Sequence, residues 1–125
     1  MTTWTSEELN GIGKADELEI ATLRTDGTLR KAVIIWAVRV GDELYVRAVK
    51  GRSGLWFRHA QERHEGHIQA GGVDKDVAFE EADADRALND QIDAVYRSKY
   101  GHPSGPVTSI TSAAARAATI RLVPR

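Results

Sequence analysis

A basic stretch that contains no carboxylate lies between Leu44 and Gln61. Four permanent cations and one serine fall within it: Arg47, Lys50, Arg52, Arg58 and Ser53. Most of them surround a Gly/Ser turn that precedes a short amphipathic helix. Cationic side chains and backbone N–H groups at a helix start bind anions well, and phosphate is the most common of these. The stretch therefore predicts a site for a phosphorylated ligand, although a solvated surface cluster would have the same composition.

One tryptophan precedes this stretch and another lies within it, and both suit a flat ligand. Trp36 lies in an apolar segment that also contains Ile35, and Trp56 is at the start of the helix after the basic turn. Indole rings stack favourably on flat heterocycles, so each could form one wall of a slot for a cofactor ring. Packing in the core or at a dimer interface is the alternative for both.

Two side chains could give a proton to a bound substrate, namely His59 and Tyr100. His59 lies one turn beyond the basic turn, and imidazole exchanges protons near neutral pH. Tyr100 ends a long predicted helix and could cover the site, or it could simply pack at the helix end. We predict no metal site, because His59, His64 and His67 are not spaced to face one another.

Periodicity predicts the elements that position these residues. Alternating apolar residues and turn signals indicate six strands: residues 18–23, 29–40, 44–49, 67–70, 73–79 and 119–124. Helices are expected after a capping box at Thr5 and Glu8, over 54–64 and over 81–100, with a flexible break at 101–106. Asp90 and Asp93 are interpreted as exposed acids of the long helix. The pattern predicts a mainly β fold with helices (α+β), built on a small antiparallel barrel.

The composition of the chain limits the classes of protein that it can be. Its 125 residues predict a single domain over 1–125, and its net charge of -1 argues against a nucleic-acid partner. The longest apolar run has seven residues, which is too short to span a membrane. Without cysteine or a secretory signal, the sequence predicts a cytoplasmic protein with no membrane partner.

Several segments, in their order and spacing, carry a resemblance to a known superfamily. They are the Asp-Gly turn at 25–28, KAVIIW at 31–36, LYVR at 44–47, GRSGLWFR at 51–58, GHIQAGG at 66–72 and ATIRLVP at 118–124. With them the chain resembles the flavin-binding split-barrel superfamily, near its pyridoxamine-phosphate-oxidase-like and deazaflavin-dependent nitroreductase-like branches. More narrowly, it resembles a family of small proteins within that group.

The resemblance implies a six-stranded split β-barrel with peripheral helices that forms a homodimer. It also implies non-covalent binding of FMN or a deazaflavin coenzyme and hydride transfer to a small organic substrate. The phosphate is expected at Arg47, Lys50, Arg52, Ser53 and Arg58, and the ring along Ile35, Trp36 and Trp56. His59 and Tyr100 are the expected catalytic residues.

The chain departs from the deazaflavin branch at two places. The turn of that branch resembles Lys-x-Pro-x-Trp and is followed by a helix with an Asn, whereas this chain has KGRSGLW at 50–56 and then Arg58 and His59. Two alternatives therefore stay open for the same groove. One is a cofactor-free biosynthetic enzyme, and the other is a ligand-binding protein without catalytic activity.

Overall fold

The computed structural model describes residues 3–101 and 105–125. These residues form seven strands: β1 (Leu18–Thr22), β2 (Val33–Ile35), β3 (Ala37–Val40), β4 (Glu43–Arg47), β5 (Glu65–Ala70), β6 (Val73–Glu81) and β7 (Thr119–Pro124). They also form five α-helices: α1 (Ser6–Lys14), α2 (Leu55–Arg63), α3 (Arg86–Tyr100), α4 (Gly105–Ile110) and α5 (Ala113–Arg116). A 3-10 turn over Gly51–Ser53 leads into α2. None of the described helices is long and apolar enough to cross a membrane.

One bent segment of the chain joins the two ends of the sheet. The antiparallel strands lie in the order β2-β1-β5-β6-β7-β4-β3, so β2 and β3 are at opposite ends. Only Trp36 separates them in sequence. The strand predicted over 29–40 is therefore divided, because its first part pairs with β1 and its second with β4. The predicted α+β split barrel is confirmed, with seven strands instead of six.

The side chains of β4 alternate between two apolar clusters. Leu44 and Val46 are fully buried in the barrel interior, while Tyr45 points to a second cluster beneath α3. This alternation agrees with the pattern read from the sequence. Each fully buried side chain of this size contributes roughly 1.5–3 kcal/mol relative to an exposed one. The barrel and α3 are thus held together by apolar contacts on both faces of a single strand.

Most predicted helix boundaries agree with the structure, but the start of α3 and part of the predicted break after it do not. The capping box at α1 is present, with the Glu8 N–H donating to Thr5 Oγ1 over 3.1 Å. Helix α3 begins at Arg86 instead of residue 81, because β6 continues to Glu81. Helix α4 occupies residues expected to be a break, and Pro106 fits its first turn, where a missing N–H removes no helical hydrogen bond. The rest of that predicted break, residues 102–104, lies outside the described residues.

Candidate functional site

A cleft of about 820 Å³ opens between the β1–β2 hairpin, the end of β4 and helices α2 and α4. Its lining includes the aromatic and apolar side chains of Val33, Ile34, Ile35, Trp36, Val49, Leu55 and Trp56. Its cationic and imidazole groups belong to Arg24, Arg30, Lys31, Arg47, Lys50 and His59. No carboxylate is among the described residues of the lining. Such a cleft favours a flat ligand that carries negative charge.

Two lysines present open charges to this cleft. Lys31 follows the β1–β2 turn, and Lys50 precedes the 3-10 turn that leads into α2. Both residues are exposed, and within residues 3–101 and 105–125 neither ammonium group has a hydrogen bond or an ion pair. Lys50 was predicted from the sequence and Lys31 was not. The signal for Lys31 was its position beside Arg30 at the start of the apolar strand.

Two further cations of the β1–β2 hairpin are held by protein groups. Arg30 donates to the Leu23 carbonyl over 2.7 Å and pairs with Glu62 of α2 at 3.0 Å. Arg24 donates to the Leu29 carbonyl over 2.9 Å. Their positions are therefore fixed, and they add positive potential while part of their hydrogen-bonding capacity is already used. The sequence-based prediction missed both residues.

Arg47 is fully enclosed, and protein acceptors use all five of its N–H groups. Its Nε donates to Thr119 Oγ1 over 2.9 Å, and its Nη2 donates to the side-chain and main-chain oxygens of Asn89 at 2.9 and 3.1 Å. Its Nη1 donates to the Asp93 carboxylate and to the Ile110 carbonyl. A guanidinium has five donors. Arg47 thus has none left for the phosphate that was predicted there, because an interior arginine needs every partner.

The acidic partner of Arg47 belongs to a larger network. Asp93 also accepts from Arg116 of α5 over 2.6 Å, and Arg116 reaches Asp90 at 3.0 Å. Hydrogen bonds to Asp90, followed by those to Asp93, raise the pKa of the Arg116 guanidinium. Asp93 is buried, so its interpretation as an exposed acid was wrong. The network joins β4, α3, α5 and β7 at the back of the cleft.

The other predicted phosphate ligands lie outside the cleft. Arg52 donates to the Ala117 carbonyl at 3.0 Å and pairs with Glu81 at 2.8 Å. The Ser53 hydroxyl donates to the Lys50 carbonyl at 3.3 Å. Arg58 is exposed and is not part of the lining. Of the five predicted phosphate ligands, only Arg47 and Lys50 border the cleft, and only Lys50 has free donors there.

Of the three aromatic residues predicted at the site, the two tryptophans line the cleft and the tyrosine does not. Trp36 and Trp56 both line the cleft, as does Ile35. Tyr100 stacks on Trp36 with ring centroids 3.9 Å apart and planes 4° apart, but it is not part of the lining. Its hydroxyl donates to the Asp16 carbonyl over 3.0 Å, and burial raises its pKa. Tyr100 therefore supports Trp36 from behind instead of facing a substrate.

Of the two predicted catalytic residues, only His59 lines the cleft. It lies on α2, three residues after Trp56. His67, by contrast, lies on β5, where it contacts Asp76 at 2.7 Å and also Asp74. No cluster of metal-binding side chains occurs among the residues that the structure describes.

The family model described as "Uncharacterized protein conserved in bacteria (DUF2255)" matches residues 8–122. The chain belongs to this family. No curated protein matches the DUF2255 chain by sequence.

Solved structures with the same fold are similar to this DUF2255 chain over nearly its whole length. A "Putative Pyridoxamine 5'-phosphate oxidase" from Listeria innocua has a TM-score of 0.66 at 12% identity, and the match covers 94% of this chain and 90% of that one. An F420 reductase has a TM-score of 0.56 at 15% identity, with coverage of 93% and 90%. An FAD and heme binding protein from Mycobacterium smegmatis has a TM-score of 0.52 at 18% identity, with coverage of 98% and 66%. These similarities establish the split-barrel fold.

Proposed function

We propose that this protein binds a phosphorylated flavin-type cofactor, FMN or a deazaflavin coenzyme, in the cleft between β2, β4 and α2. The observation that carries the proposal is a cleft with indole walls, two open ammonium groups and no carboxylate among its described lining residues. The names of three proteins with the same fold, which refer to pyridoxamine 5'-phosphate, F420, and FAD with heme, support a cofactor of this kind.

The residues of the cleft fit such a group. Lys50 and Lys31 would hold the phosphate, since charge-assisted hydrogen bonds contribute about 1.5–3 kcal/mol each. Trp36 and Trp56 would flank the ring system, and Ile35 would contact it. A volume of about 820 Å³ lies within the usual range for small-molecule sites and leaves space beside a cofactor for a small substrate.

The reaction that this arrangement supports is hydride transfer to a small organic substrate. The cofactor, when bound, supplies the hydride chemistry. The chain holds and orients the reactants, and the apolar lining excludes water from the reacting atoms. His59 lines the cleft and would give the substrate its proton. Tyr100 positions Trp36 and takes no part in proton transfer.

We also propose that two copies of the chain pair across the mouth of the cleft. The exposed large apolar residues of the described chain are Leu29, Val33, Ile34, Val49 and Leu55, and all except Leu29 line the cleft. Contiguous exposed apolar surface marks interaction sites, and twofold pairing buries the same patch on both copies. Sedimentation should show a dimer that Ile34→Asp disrupts and that the control Leu29→Asp leaves intact. A monomeric wild-type protein would contradict the pairing.

A binding titration of the purified protein tests the cofactor proposal. FMN and the deazaflavin coenzyme are added separately, and binding is followed by quenching of cofactor and tryptophan fluorescence. Micromolar binding of one of them is expected. Riboflavin, which has the same ring as FMN but no phosphate, should bind at least about tenfold more weakly, because it forfeits the bonds to the lysines.

The other outcomes of this titration distinguish the alternatives. Equal affinity for FMN and riboflavin would mean that the lysines do not hold the phosphate. No binding of either cofactor would reject the redox function, and the cleft would then serve a cofactor-free enzyme or a non-catalytic binding protein.

A further inference from the structure

A second, smaller cleft, which shares no lining residue with the first, contains a lysine in an unusual environment. The cleft has a volume of about 230 Å³ and lies between α1, β3 and the end of α3. Its charged lining residues are Lys14, Arg39 and Lys99, and no carboxylate is among its described lining residues. The cofactor cleft contains none of these three residues.

Two main-chain carbonyls orient the amine of Lys99. Its Nζ donates to the Ala37 carbonyl at 2.6 Å and to the Ile12 carbonyl, in the last turn of α1, at 3.5 Å. A neutral amine keeps two N–H groups for these two carbonyls, and its lone pair occupies the position of the third ammonium proton. Losing that one proton therefore leaves both hydrogen bonds in place.

The environment of Lys99 also favours the neutral amine. Burial lowers the pKa of Lys99 to about 8. It outweighs two groups that favour the ammonium, namely the charge of Asp16 and the Tyr100 ring, whose centroid lies 5.0 Å from Nζ. Lys14 on α1 and Arg39 on β3 face the same cleft and are both cationic. At pH 7.5 the neutral amine is therefore far more populated at Lys99 than in an ordinary lysine, which is neutral in about one molecule per thousand.

The cations beside Lys99 select the kind of reagent that can reach it. Arg39 donates to Asn10 Oδ1 at 2.8 Å and to the Gly41 carbonyl at 2.8 Å, and it pairs with the exposed carboxylate of Asp42 at 3.7 Å. Asp42 does not line the cleft, whereas Arg39 does, and Lys14 adds a second positive charge there. An electrophile with an anionic leaving group would be attracted there, because cationic clefts concentrate anions.

We propose that Lys99 is a site of Nε-acylation by small acyl phosphates. The Nζ lone pair attacks the acyl carbon, the bond between that carbon and the bridging oxygen breaks, and phosphate leaves with the bonding pair. The nitrogen loses one proton to water, and an amide results. The amide is uncharged, so the positive charge of Lys99 beside the Ala37 carbonyl is lost. Ala37 is the residue next to Trp36.

Competitive labelling of the intact protein tests this proposal. The chain has five lysines, at positions 14, 31, 50, 75 and 99, which serve as internal controls for one another. The folded protein is treated with limiting acetyl phosphate at pH 7.5, and peptide mass spectrometry gives the acetylated fraction at each lysine. Lys99 should react at least about fivefold faster than Lys14, which lines the same cleft but is exposed. In guanidinium chloride this preference should disappear.

A second experiment distinguishes the reactivity of the Lys99 amine from the attraction of the anionic reagent by the cleft. Arg39→Gln should slow acetylation of Lys99 by acetyl phosphate about threefold and leave its reaction with acetic anhydride unchanged, because the anhydride carries no charge. Equal slowing with both reagents would overturn the role of the cationic cleft. Equal labelling of Lys99 and Lys14 in the folded protein, or a preference that survives unfolding, would overturn the proposal.

Discussion

Arg47 and Lys50 are cations only three residues apart, yet their surroundings are opposite. Arg47 is at the end of β4, is 1% exposed and has a protein acceptor for every donor. Lys50 is exposed at the edge of the cleft, and its ammonium has no partner among the described residues. In the sequence the two cations look alike. What separates them is the position of α3, which brings Asp93 and Asn89 to Arg47 and no acceptor to Lys50.

The two environments assign different roles to the same charge. A buried ion pair is costly to desolvate, and removing one partner leaves an uncompensated charge in the interior. An exposed lysine contributes little to folding, so its donors stay available for a ligand. Arg47 should therefore govern stability, and Lys50 should govern affinity.

The largest expected effect on stability comes from removing the carboxylate that faces Arg47. Asp93→Ala should lower the free energy of unfolding by about 3–5 kcal/mol, because it leaves a buried guanidinium without its counter-ion. Chemical denaturation monitored by tryptophan fluorescence measures the loss. Glu80→Gln is the matched control, since Glu80 pairs with Arg121 at the surface, and a loss below about 1 kcal/mol is expected there.

A double variant tests whether the loss comes from the unpaired charge. Arg47→Met combined with Asp93→Leu removes both charges and keeps apolar volume, so it should be less destabilised than Asp93→Ala alone. If the double variant is the less stable of the two, the contacts of Arg47 with Asn89 and Thr119 matter more than its charge.

Removing the two open charges of the cleft should reduce ligand affinity and leave stability nearly unchanged. Lys50→Ala together with Lys31→Ala should weaken binding of FMN, or of the deazaflavin coenzyme if that is the one bound, by more than about tenfold. The free energy of unfolding should change by less than about 0.5 kcal/mol, which is usual for exposed positions. Fluorescence titration and denaturation of the same samples provide both values.

Arg52→Ala is the control for this pair. Arg52 lies in the same basic stretch, but Glu81 and the Ala117 carbonyl hold it away from the cleft. We expect its removal to change ligand affinity by less than about twofold. A tenfold loss of ligand affinity in Arg52→Ala, with no loss in the lysine variant, would contradict this expectation. It would support the sequence-based prediction that Arg52 binds the phosphate.

The sequence predicted the fold better than it predicted the site, for a physical reason. Strand alternation and capping depend on neighbours within a few residues, so the two faces of β4 and the start of α1 could be predicted. The partners of Arg47 are at least 42 residues away in the chain, and nothing local indicates them. The same holds for Tyr100, whose stacking on Trp36 depends on how α3 crosses the bend between β2 and β3.

His67 provides an intermediate case and the smallest expected effect. Its ring contacts Asp76 at 2.7 Å and also Asp74, and all three side chains are partly exposed. The hydrogen bond to Asp76, against a smaller effect of burial, raises the pKa of His67 above its usual 6.5. A group with a raised pKa contributes its full stability below the pKa of the unfolded chain and loses it as the pH rises through the folded value.

His67→Gln should therefore destabilise the protein most near pH 6 and progressively less above pH 7. The exposed setting limits the difference to less than about 1 kcal/mol. Thermal or chemical unfolding of both proteins across this pH range measures it, and added salt should reduce it because surface charges are screened. Replacing both carboxylates, Asp74→Asn with Asp76→Asn, should flatten the same pH dependence while leaving His67 in place. A difference that grows with pH would mean that the neutral ring is the form that these two carboxylates hold. Partial burial would then have a larger effect on His67 than its pairing with the carboxylates. The opposite holds at Arg47, which is completely buried and still paired with Asp93.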